Sequence, residues 1–150
     1  MAPPVEQRII QLLTRAQHAL RSATDESLRE HGVTTAQYST LCALSPSQGL
    51  SGAELARRCF VTPQTMQEIV VNLERLHLIE RRRDGEDGRA LYVYLTPQGQ
   101  QSVEACHQAM AAVEDRMVDD LGKKGRKRLG EALGRCIASL AGDGGRKRKS

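Results

Sequence analysis

Aromatic residues are scarce in this chain of 150 residues, which has no Trp, one Phe and three Tyr. Strands favour aromatic and β-branched residues, so this scarcity argues against a β-sandwich and favours a helical protein packed with Leu and Ala. No apolar run approaches the roughly 20 residues of a membrane span, and no signal-peptide pattern opens the chain. We therefore expect no membrane partner and a location in the cytoplasm of a prokaryote.

Sequence motifs typical of metal sites and of nucleotide-binding enzymes are also missing. The four cysteines form no C-x-x-C pair and no zinc spacing with the histidines, so we expect no metal and no cofactor. A Gly-rich strand–turn–helix fingerprint is absent, which argues against a nucleotide-dependent enzyme, and we expect no enzymatic activity. Each cysteine lies on or beside an apolar helical stripe, which predicts buried packing for Cys42, Cys59, Cys106 and Cys136.

Two short helical patterns follow one another from Ser51 onwards. Ser51 with Glu54 three residues later has the form of a capping box. Thr62 and Pro63 supply an N-cap and a first-turn proline for the second helix. One face of that helix is apolar, with Met66, Ile69, Val70, Leu73 and Leu76. The opposite face carries Gln64, Gln67, Glu68, Val71 and Arg75. Two helices joined by a tight turn, the second with an amide-rich outer face, predict a helix-turn-helix.

A basic hairpin is predicted directly after these helices. Residues 79–83 and 90–95 read as strands, and residues 84–89 between them have turn chemistry. The hairpin carries Arg81, Arg82, Arg83 and Arg89. A basic hairpin in this position is a wing that reaches phosphates and the minor groove. The net charge is only +4, but the clustered basic residues and a pI of about 9.1 suit a nucleic-acid partner.

Helical patterns also flank the predicted DNA-binding lobe, which covers residues 34–95 of a single domain, 1–150. One long helix runs over 5–31 until Gly32, and Thr34 with Gln37 begins another that buries Tyr38, Leu41, Cys42 and Leu44. Leu50 is a candidate one-residue strand beside the wing. A further helix covers residues 97–121, a break covers 122–125, and a last helix covers about 126–140. The basic tail, 142–150, is too polar to fold.

The flanking helices, 5–31 and 97–140, predict a homodimer. Their apolar stripes are more than a small winged lobe can cover, whereas a two-fold interface buries the same stripe twice. A dimer would also present two recognition helices to a pseudo-palindrome with half-sites about 10 bp apart. The fold class expected is therefore mainly α with a small β-hairpin wing, a winged helix-turn-helix with dimerisation helices at both ends.

Three stretches of the sequence form a recognisable combination: GAELARR, TPQTMQEIVVNLERLHLIER, and Asp87-Gly88-Arg89 followed by Leu95-Thr96-Pro97-Gln98-Gly99. With these motifs the chain resembles the multiple-antibiotic-resistance regulator (MarR) family of winged-helix transcription factors over nearly its whole length. The resemblance implies a homodimeric regulator, a repressor of transcription, joined by its first and last helices. Two positions depart from the family pattern. His77 stands where a glycine is usual, which predicts a helix end with positive φ, and Glu68 occupies a position that is often basic or small.

Roles on double-stranded DNA follow from side-chain chemistry. Base edges are assigned to the outer face of the recognition helix: Gln64, Thr65, Gln67, Glu68 and Val71. Phosphates are assigned to the N-terminus of that helix and to Ser39, Ser51, Arg57, Arg75, Arg81, Arg82 and Arg83. Arg89 is the minor-groove candidate, and Asp87 is expected to orient it.

The sequence says less about the effector that would regulate DNA binding than about the DNA-binding residues. The resemblance implies a small aromatic acid or phenolic effector bound between the dimer helices and the DNA-binding lobe, where Arg15, His18 and Tyr38 are the candidate contacts. Two alternatives stay open. A basic tail and the run 123–128 suit an architectural protein that coats DNA without sequence choice. A cysteine-based redox sensor is the other, although the family's peroxide-sensing branch uses a cysteine near the start of the first helix, and this chain has none before Cys42.

Overall fold

The structure of the protein is a computed structural model that describes residues 1–84 and 88–142. A short 3-10 helix (Val5–Gln7) precedes α1 (Ile9–Glu30), α2 (Thr35–Ala43), β1 (Leu50–Ser51), α3 (Gly52–Arg58), α4 (Pro63–Arg75), β2 (Ile79–Asp84), β3 (Ala90–Leu95), α5 (Pro97–Val118), a 3-10 turn (Asp119–Leu121) and α6 (Gly122–Gly142). The mainly helical fold with a small sheet confirms the predicted fold class. Among the described residues, no helix has the length and hydropathy to cross a membrane.

Polar caps fix where the helices of the lobe begin. The hydroxyl of Thr34 accepts the Gln37 amide at 3.1 Å, and the Gln37 side chain accepts the Thr34 amide at 2.9 Å, which completes a capping box. Ser51 Oγ accepts the Glu54 amide at 3.2 Å, and Thr62 Oγ1 accepts the amide of Thr65 at 3.1 Å. Such a cap contributes about 1 kcal/mol to the stability of a helix. The three capped helices, α2, α3 and α4, begin where the sequence predicts them.

The sheet has three antiparallel strands in the order β1-β3-β2. β1 is the short strand predicted at Leu50, which pairs with Val93. β2 and β3 form the wing, with Ile79 opposite Leu95 and Arg83 opposite Leu91. Burial falls towards the tip, since Val93, Tyr94 and Leu95 are buried and Leu91 is exposed. The hairpin is therefore anchored at its base and reaches into solvent.

A single core of buried aliphatic side chains holds α1 to α5 and the sheet together. Leu28, Leu41, Leu55 and Leu73 are each 0% exposed, and they come from four different helices. Cys106 of α5 belongs to the same cluster. Burying a leucine stabilises a fold by about 1.5–3 kcal/mol relative to leaving it exposed. Because α4 contributes Met66, Val70 and Leu73 to this core, its orientation is fixed.

The predicted burial of the cysteines is wrong at two positions. Cys106 is buried and Cys59 partly buried, but Cys42 and Cys136 are exposed. Cys42 follows the fully buried Leu41 on a helix of nine residues, whose inward stripe is too narrow to include both. Cys136 lies on α6, which has no buried residue within the described chain. Tyr38, predicted inside the same stripe as Cys42, is only half-buried.

Several helix boundaries also differ from the predicted ones, and α5 ends at Val118 instead of residue 121. The N-terminal helix begins at Ile9, because Arg8 is extended and separates it from the 3-10 turn before it. The predicted break over residues 122–125 is wrong: Gly122 alone takes a positive φ of 69°, and α6 starts there. One glycine in this conformation is sufficient to turn the chain, so the following Lys123 and Lys124 remain helical.

The chain divides into two compact units, residues 1–113 and residues from Glu114 onwards. In the second unit, Arg126 of α6 donates to Asp115 at 2.7 Å and lies 3.4 Å from Glu114. The hydrogen bond to Asp115 raises the pKa of the Arg126 guanidinium. This pairing connects the two helices of that unit across the turn at Gly122.

Thr96 and Gly99 join the start of α5 to the turn that follows α4. Thr96 Oγ1 donates to the His77 carbonyl at 2.7 Å and accepts the amide of Gly99 at 2.9 Å. The Thr96 amide donates to the Leu78 carbonyl at 3.1 Å. A Cβ at Gly99 would lie 2.0 Å from that carbonyl oxygen, so the close approach requires glycine. The Leu-Thr-x-x-Gly pattern is thus a structural joint.

Gly99→Ala is expected to destabilise the fold by about 1–3 kcal/mol, because the added methyl would overpack against backbone that cannot swing away. Urea unfolding would measure this loss. Gly52→Ala is the matched control, since nothing lies within 4 Å of a Cβ there, and it should change stability by less than about 0.5 kcal/mol. Equal stability of Gly99→Ala and the unmodified chain would contradict the joint.

Candidate nucleic-acid interface

The exposed face of α4 is the centre of the candidate site. Thr62 and Pro63 set its first turn, while Met66, Val70 and Leu73 are buried beneath it. The structure brings the predicted base-reading residues to one exposed surface: Gln64, Thr65, Gln67, Glu68 and Val71. The helical period dictates this arrangement, since the buried residues occupy the other side of the same turns.

Some polar side chains of this face already form hydrogen bonds within the protein, and others do not. Among the described residues, Gln64, Gln67 and Glu68 have no hydrogen-bond partner for their side chains. Thr65 accepts a hydrogen bond from the Thr62 hydroxyl at 2.9 Å, and Arg75 donates to Asn72 at 3.0 Å. The amides of Gln64 and Gln67 and the carboxylate of Glu68 are therefore the groups on this helix that remain available to base edges.

Arg81 of the wing is held by α4. Its Nε and Nη2 donate to the two carboxylate oxygens of Glu74 at 3.0 and 2.8 Å. This bidentate pair is partly exposed, with 26% of the Arg81 side chain and 40% of the Glu74 side chain accessible. The hydrogen bond from Arg81 lowers the pKa of the Glu74 carboxyl. Arg81 thereby fixes the wing to α4, and it is less available to a phosphate than the sequence suggested.

The other wing arginines divide into two kinds. Arg82 Nε donates to Glu80 at 2.8 Å, and its guanidinium carbon lies 4.2 Å from the centre of the Tyr94 ring, a cation–π contact that flattens the side chain on the sheet. Arg83 and Arg89 are exposed near the tip. Asp87, predicted to orient Arg89, lies outside the described residues. Of the wing arginines, Arg83 and Arg89 thus lie nearest the tip of the hairpin.

The last turn of α3 also carries basic side chains. Arg57 and Arg58 of its last turn line an open groove of about 550 Å³ together with Gly49 and Tyr92, and Arg57 is exposed. Ser51, predicted as a phosphate contact, already accepts the Glu54 amide as a cap. The structure therefore presents Arg57 on the same lobe as α4, with its side chain open to solvent.

Tyr38, one of the predicted effector contacts, has a partner that sequence reasoning missed. Its hydroxyl lies 2.7 Å from Nδ1 of His107, and the two rings meet edge to face with centroids 5.7 Å apart. Burial raises the pKa of the Tyr38 phenol to about 12, so the hydroxyl keeps its proton. The other predicted effector contacts, Arg15 and His18, are exposed on α1. Within the described chain, no hydrogen bond or ion pair joins either of them to Tyr38.

Two of the thiols, Cys42 and Cys106, are not set up as nucleophiles. Burial raises the pKa of the Cys106 thiol, and desolvation of the sulfur by surrounding protein atoms raises the pKa of Cys42, although that residue as a whole is exposed. A thiolate is the reactive species, so a raised pKa disfavours oxidation chemistry. At these two positions the environment weighs against the cysteine-based redox sensor.

A short helix, a tight turn, an exposed second helix and a basic two-stranded wing define a winged helix-turn-helix protein. A family model for the MarR family matches residues 31–90 of the sequence. Together with the relative described next, this match shows that the chain belongs to the MarR family of transcriptional regulators.

The relatives include regulators with solved structures. The HTH-type transcriptional repressor Rv2887 of Mycobacterium tuberculosis is 33% identical over 126 residues, which cover 82% of this chain and 91% of the relative. MepR, a transcription regulator of the Staphylococcus aureus multidrug efflux pump MepA, is 26% identical, with a TM-score of 0.78 over 89% of this chain and 98% of that chain. Rv2887 has been solved with DNA (26% identity, TM-score 0.73, 91% and 98% covered) and with p-aminosalicylic acid (29% identity, TM-score 0.70, 86% and 98% covered).

Replacing Glu74 with Gln is expected to cost about 0.5–1 kcal/mol of stability at pH 7, a modest value because the pair with Arg81 is partly exposed. The pKa of Glu74 is lowered in the fold, so this stabilisation is present above the unfolded value of about 4.3 and is lost as the pH falls through the folded value. In urea unfolding, the gap between the two proteins should close below about pH 4. A gap that is unchanged by acid would show that the carboxylate charge is not responsible.

Proposed function

We propose that this protein is a homodimeric, sequence-specific DNA-binding regulator that represses transcription from a pseudo-palindromic site and is released by a small aromatic or phenolic ligand. The observation that carries the proposal is the exposed face of α4, where Gln64, Gln67 and Glu68 project with no partner in the described chain while the opposite face is locked in the core. Acting on the chromosome, the protein would work in the cytoplasm.

Base reading follows from the chemistry of these three side chains and their neighbour Val71. A glutamine amide can bond the N6 and N7 groups of adenine together, and a glutamate can accept from the N4 amine of cytosine. Val71, which is exposed, offers an apolar contact to a thymine methyl. The solved DNA complex of Rv2887 supports DNA as the partner of this surface.

Phosphate contacts would hold this helix in register. The N-terminus of α4 presents free amides and the positive end of the helix dipole, which favour an anion. Arg57 in the last turn of α3 and Arg83 near the wing tip are exposed and basic. Arg89 remains the candidate for the minor groove, while Arg81 holds the wing to α4 and Arg82 is engaged by Glu80 and the Tyr94 ring.

The proposed dimer rests on apolar side chains that the single chain leaves in solvent. On α1, Ile9 and Ile10 are 67% and 75% exposed, and on α6, Ile137 and Leu140 are 68% and 79% exposed. Large apolar side chains that a helix leaves in solvent mark an interaction site. Because a two-fold interface buries one patch twice, the proposed dimerisation helices, 5–31 and 97–140, would cover their counterparts in the second copy, leaving the lobe at 34–95 to DNA.

The proposed effector is a small aromatic acid or phenol. Rv2887 has been solved with p-aminosalicylic acid, which has this chemistry. In this chain Tyr38 of α2 and His107 of α5 supply two aromatic faces, a hydroxyl and a ring nitrogen close together. Arg15 and His18 of α1 are proposed to meet the carboxylate, since a guanidinium binds a carboxylate with two parallel hydrogen bonds.

Gln67→Ala and Arg83→Ala separate base reading from phosphate binding. The duplex is first selected from random DNA with the unmodified protein. Gln67→Ala should then weaken binding to that duplex by about 1–3 kcal/mol per contact and leave scrambled DNA nearly unaffected. Arg83→Ala should weaken both duplexes and make the slope of log affinity against log salt shallower by about one unit per contact.

The control for these variants is Arg82→Ala, whose guanidinium is already held by Glu80 and the Tyr94 ring. It should alter the salt slope less than Arg83→Ala does. If Gln67→Ala weakens both duplexes equally, this face of α4 does not read bases. If the selection enriches no sequence at all, the architectural alternative is favoured.

The dimer is tested by placing a charge on the exposed side of α6. Ile137→Glu should convert the dimer to monomer in sedimentation velocity, because a buried unpaired carboxylate costs several kcal/mol. Ser139→Glu adds the same charge two residues away on another side of the helix, so it should leave the dimer intact. Since Ile137 is exposed within the chain, the protomer should stay folded in both variants. A dimer that survives Ile137→Glu would place the interface elsewhere.

A further inference from the structure

Phe60 is the one phenylalanine of the chain, and it is used in an unusual way. It lies in the turn between α3 and α4, is 95% exposed, and has a φ of 56°. Among the described residues, it shares a positive φ with just one other residue that is not glycine, His77. A bulky L-residue in this conformation is strained, and here the side chain gains nothing from burial.

The backbone around Phe60 shows which residue the fold itself would prefer. The Val61 amide donates to the Ala56 carbonyl at 3.0 Å, and the Phe60 amide to the Arg57 carbonyl at 3.3 Å. This pattern is a Schellman motif with Phe60 at the position that glycine usually fills. Folding therefore does not account for an aromatic side chain at this point. A strained residue that the fold does not need indicates a functional requirement.

The surroundings of Phe60 indicate what that requirement is. The residue lies two positions before Thr62, the N-cap of α4, and follows the last turn of α3 with Arg57 and Arg58. Its ring is thus in solvent in the turn that joins the arginine-bearing end of α3 to the N-terminus of α4. Both neighbours attract phosphates, and a phosphate backbone brings apolar deoxyribose rings with it.

We propose that Phe60 is a DNA-contact residue whose ring packs against deoxyribose of the strand that the N-terminus of α4 and the α3 arginines approach. This inference rests on the proposed DNA-binding function and adds to it an apolar contact beside the recognition helix. The contact removes apolar surface of the ring from water, which stabilises the complex without any exchange of charge. The strain at Phe60 is retained because glycine could not make this contact.

Phe60→Gly tests the proposal because it is expected to change stability and binding in opposite directions. Relief of the strained φ should raise the melting temperature of the free protein by about 2–4 °C. Loss of the ring should weaken binding to the selected duplex by about tenfold or more. The slope of log affinity against log salt should stay unchanged, because no phosphate contact is lost. Phe60→Ala, which keeps a Cβ but no ring, should show the same loss of affinity.

His77→Gly is the matched control, since His77 occupies the same position of a Schellman motif at the end of α4. There the Leu78 amide donates to the Leu73 carbonyl at 3.1 Å and the His77 amide to the Glu74 carbonyl at 3.0 Å. This variant should also raise the melting temperature, but it should leave DNA affinity as it is. A change in affinity equal to that of Phe60→Gly would mean that relieved strain, not the ring, alters binding.

Other outcomes would overturn the proposal. If Phe60→Gly binds the selected duplex normally while Gln67→Ala does not, Phe60 lies outside the interface and the proposed function still stands. A lower melting temperature for Phe60→Gly would assign the ring to the fold, and a loss of dimer in sedimentation velocity would assign it to a second copy of the chain. If the unmodified protein binds no duplex, the proposed function fails and this inference fails with it.

Discussion

The burial of one face of α4 is the constraint on which the rest of the lobe depends. Met66, Val70 and Leu73 lie in a core shared with Leu28, Leu41 and Leu55. That packing leaves the helix no rotational freedom, so the opposite face must point into solvent with its amides and carboxylate unpaired. The position of the wing follows as well, because Glu74 on the flank of the same helix binds Arg81 of β2 with two hydrogen bonds.

Some arginines of this small surface bind other residues of the fold, while one remains exposed. A run of three arginines in β2 suggests a uniform basic patch, but each guanidinium meets a different environment. Arg81 is fixed to α4, Arg82 lies on the Tyr94 ring beside Glu80, and Arg83 is left exposed. Ion pairs near the surface contribute little stability individually. The main consequence of the Arg81–Glu74 pair is positional, since it holds the hairpin against α4, whereas Arg82 and Glu80 pair within β2.

Phe60 and His77, the two described non-glycine residues with positive φ, end their helices in the same way but have different surroundings. Both end a helix through a 6→1 hydrogen bond, from Val61 to Ala56 and from Leu78 to Leu73. After His77 the chain enters the joint made by Thr96 and Gly99, where the backbone carbonyls are in use. After Phe60 it enters α4, and the exposed ring has no role in packing. The same backbone conformation therefore occurs at His77, which leads into a structural joint, and at Phe60, whose side chain lies on the surface.

The sequence by itself determined the elements and their faces. Thr34, Ser51 and Thr62 fix helix starts through hydrogen bonds that span three residues, and the apolar period fixes the buried side of α4, because both effects are local. The tertiary structure alone decided the partners of Arg81, Arg82 and Tyr38. His107 is 69 residues from Tyr38, and no local pattern specifies a contact of that separation. The start of α6 and the exposure of Cys42 and Cys136 were also decided there, since they depend on a single glycine dihedral and on how much surface a neighbouring element covers.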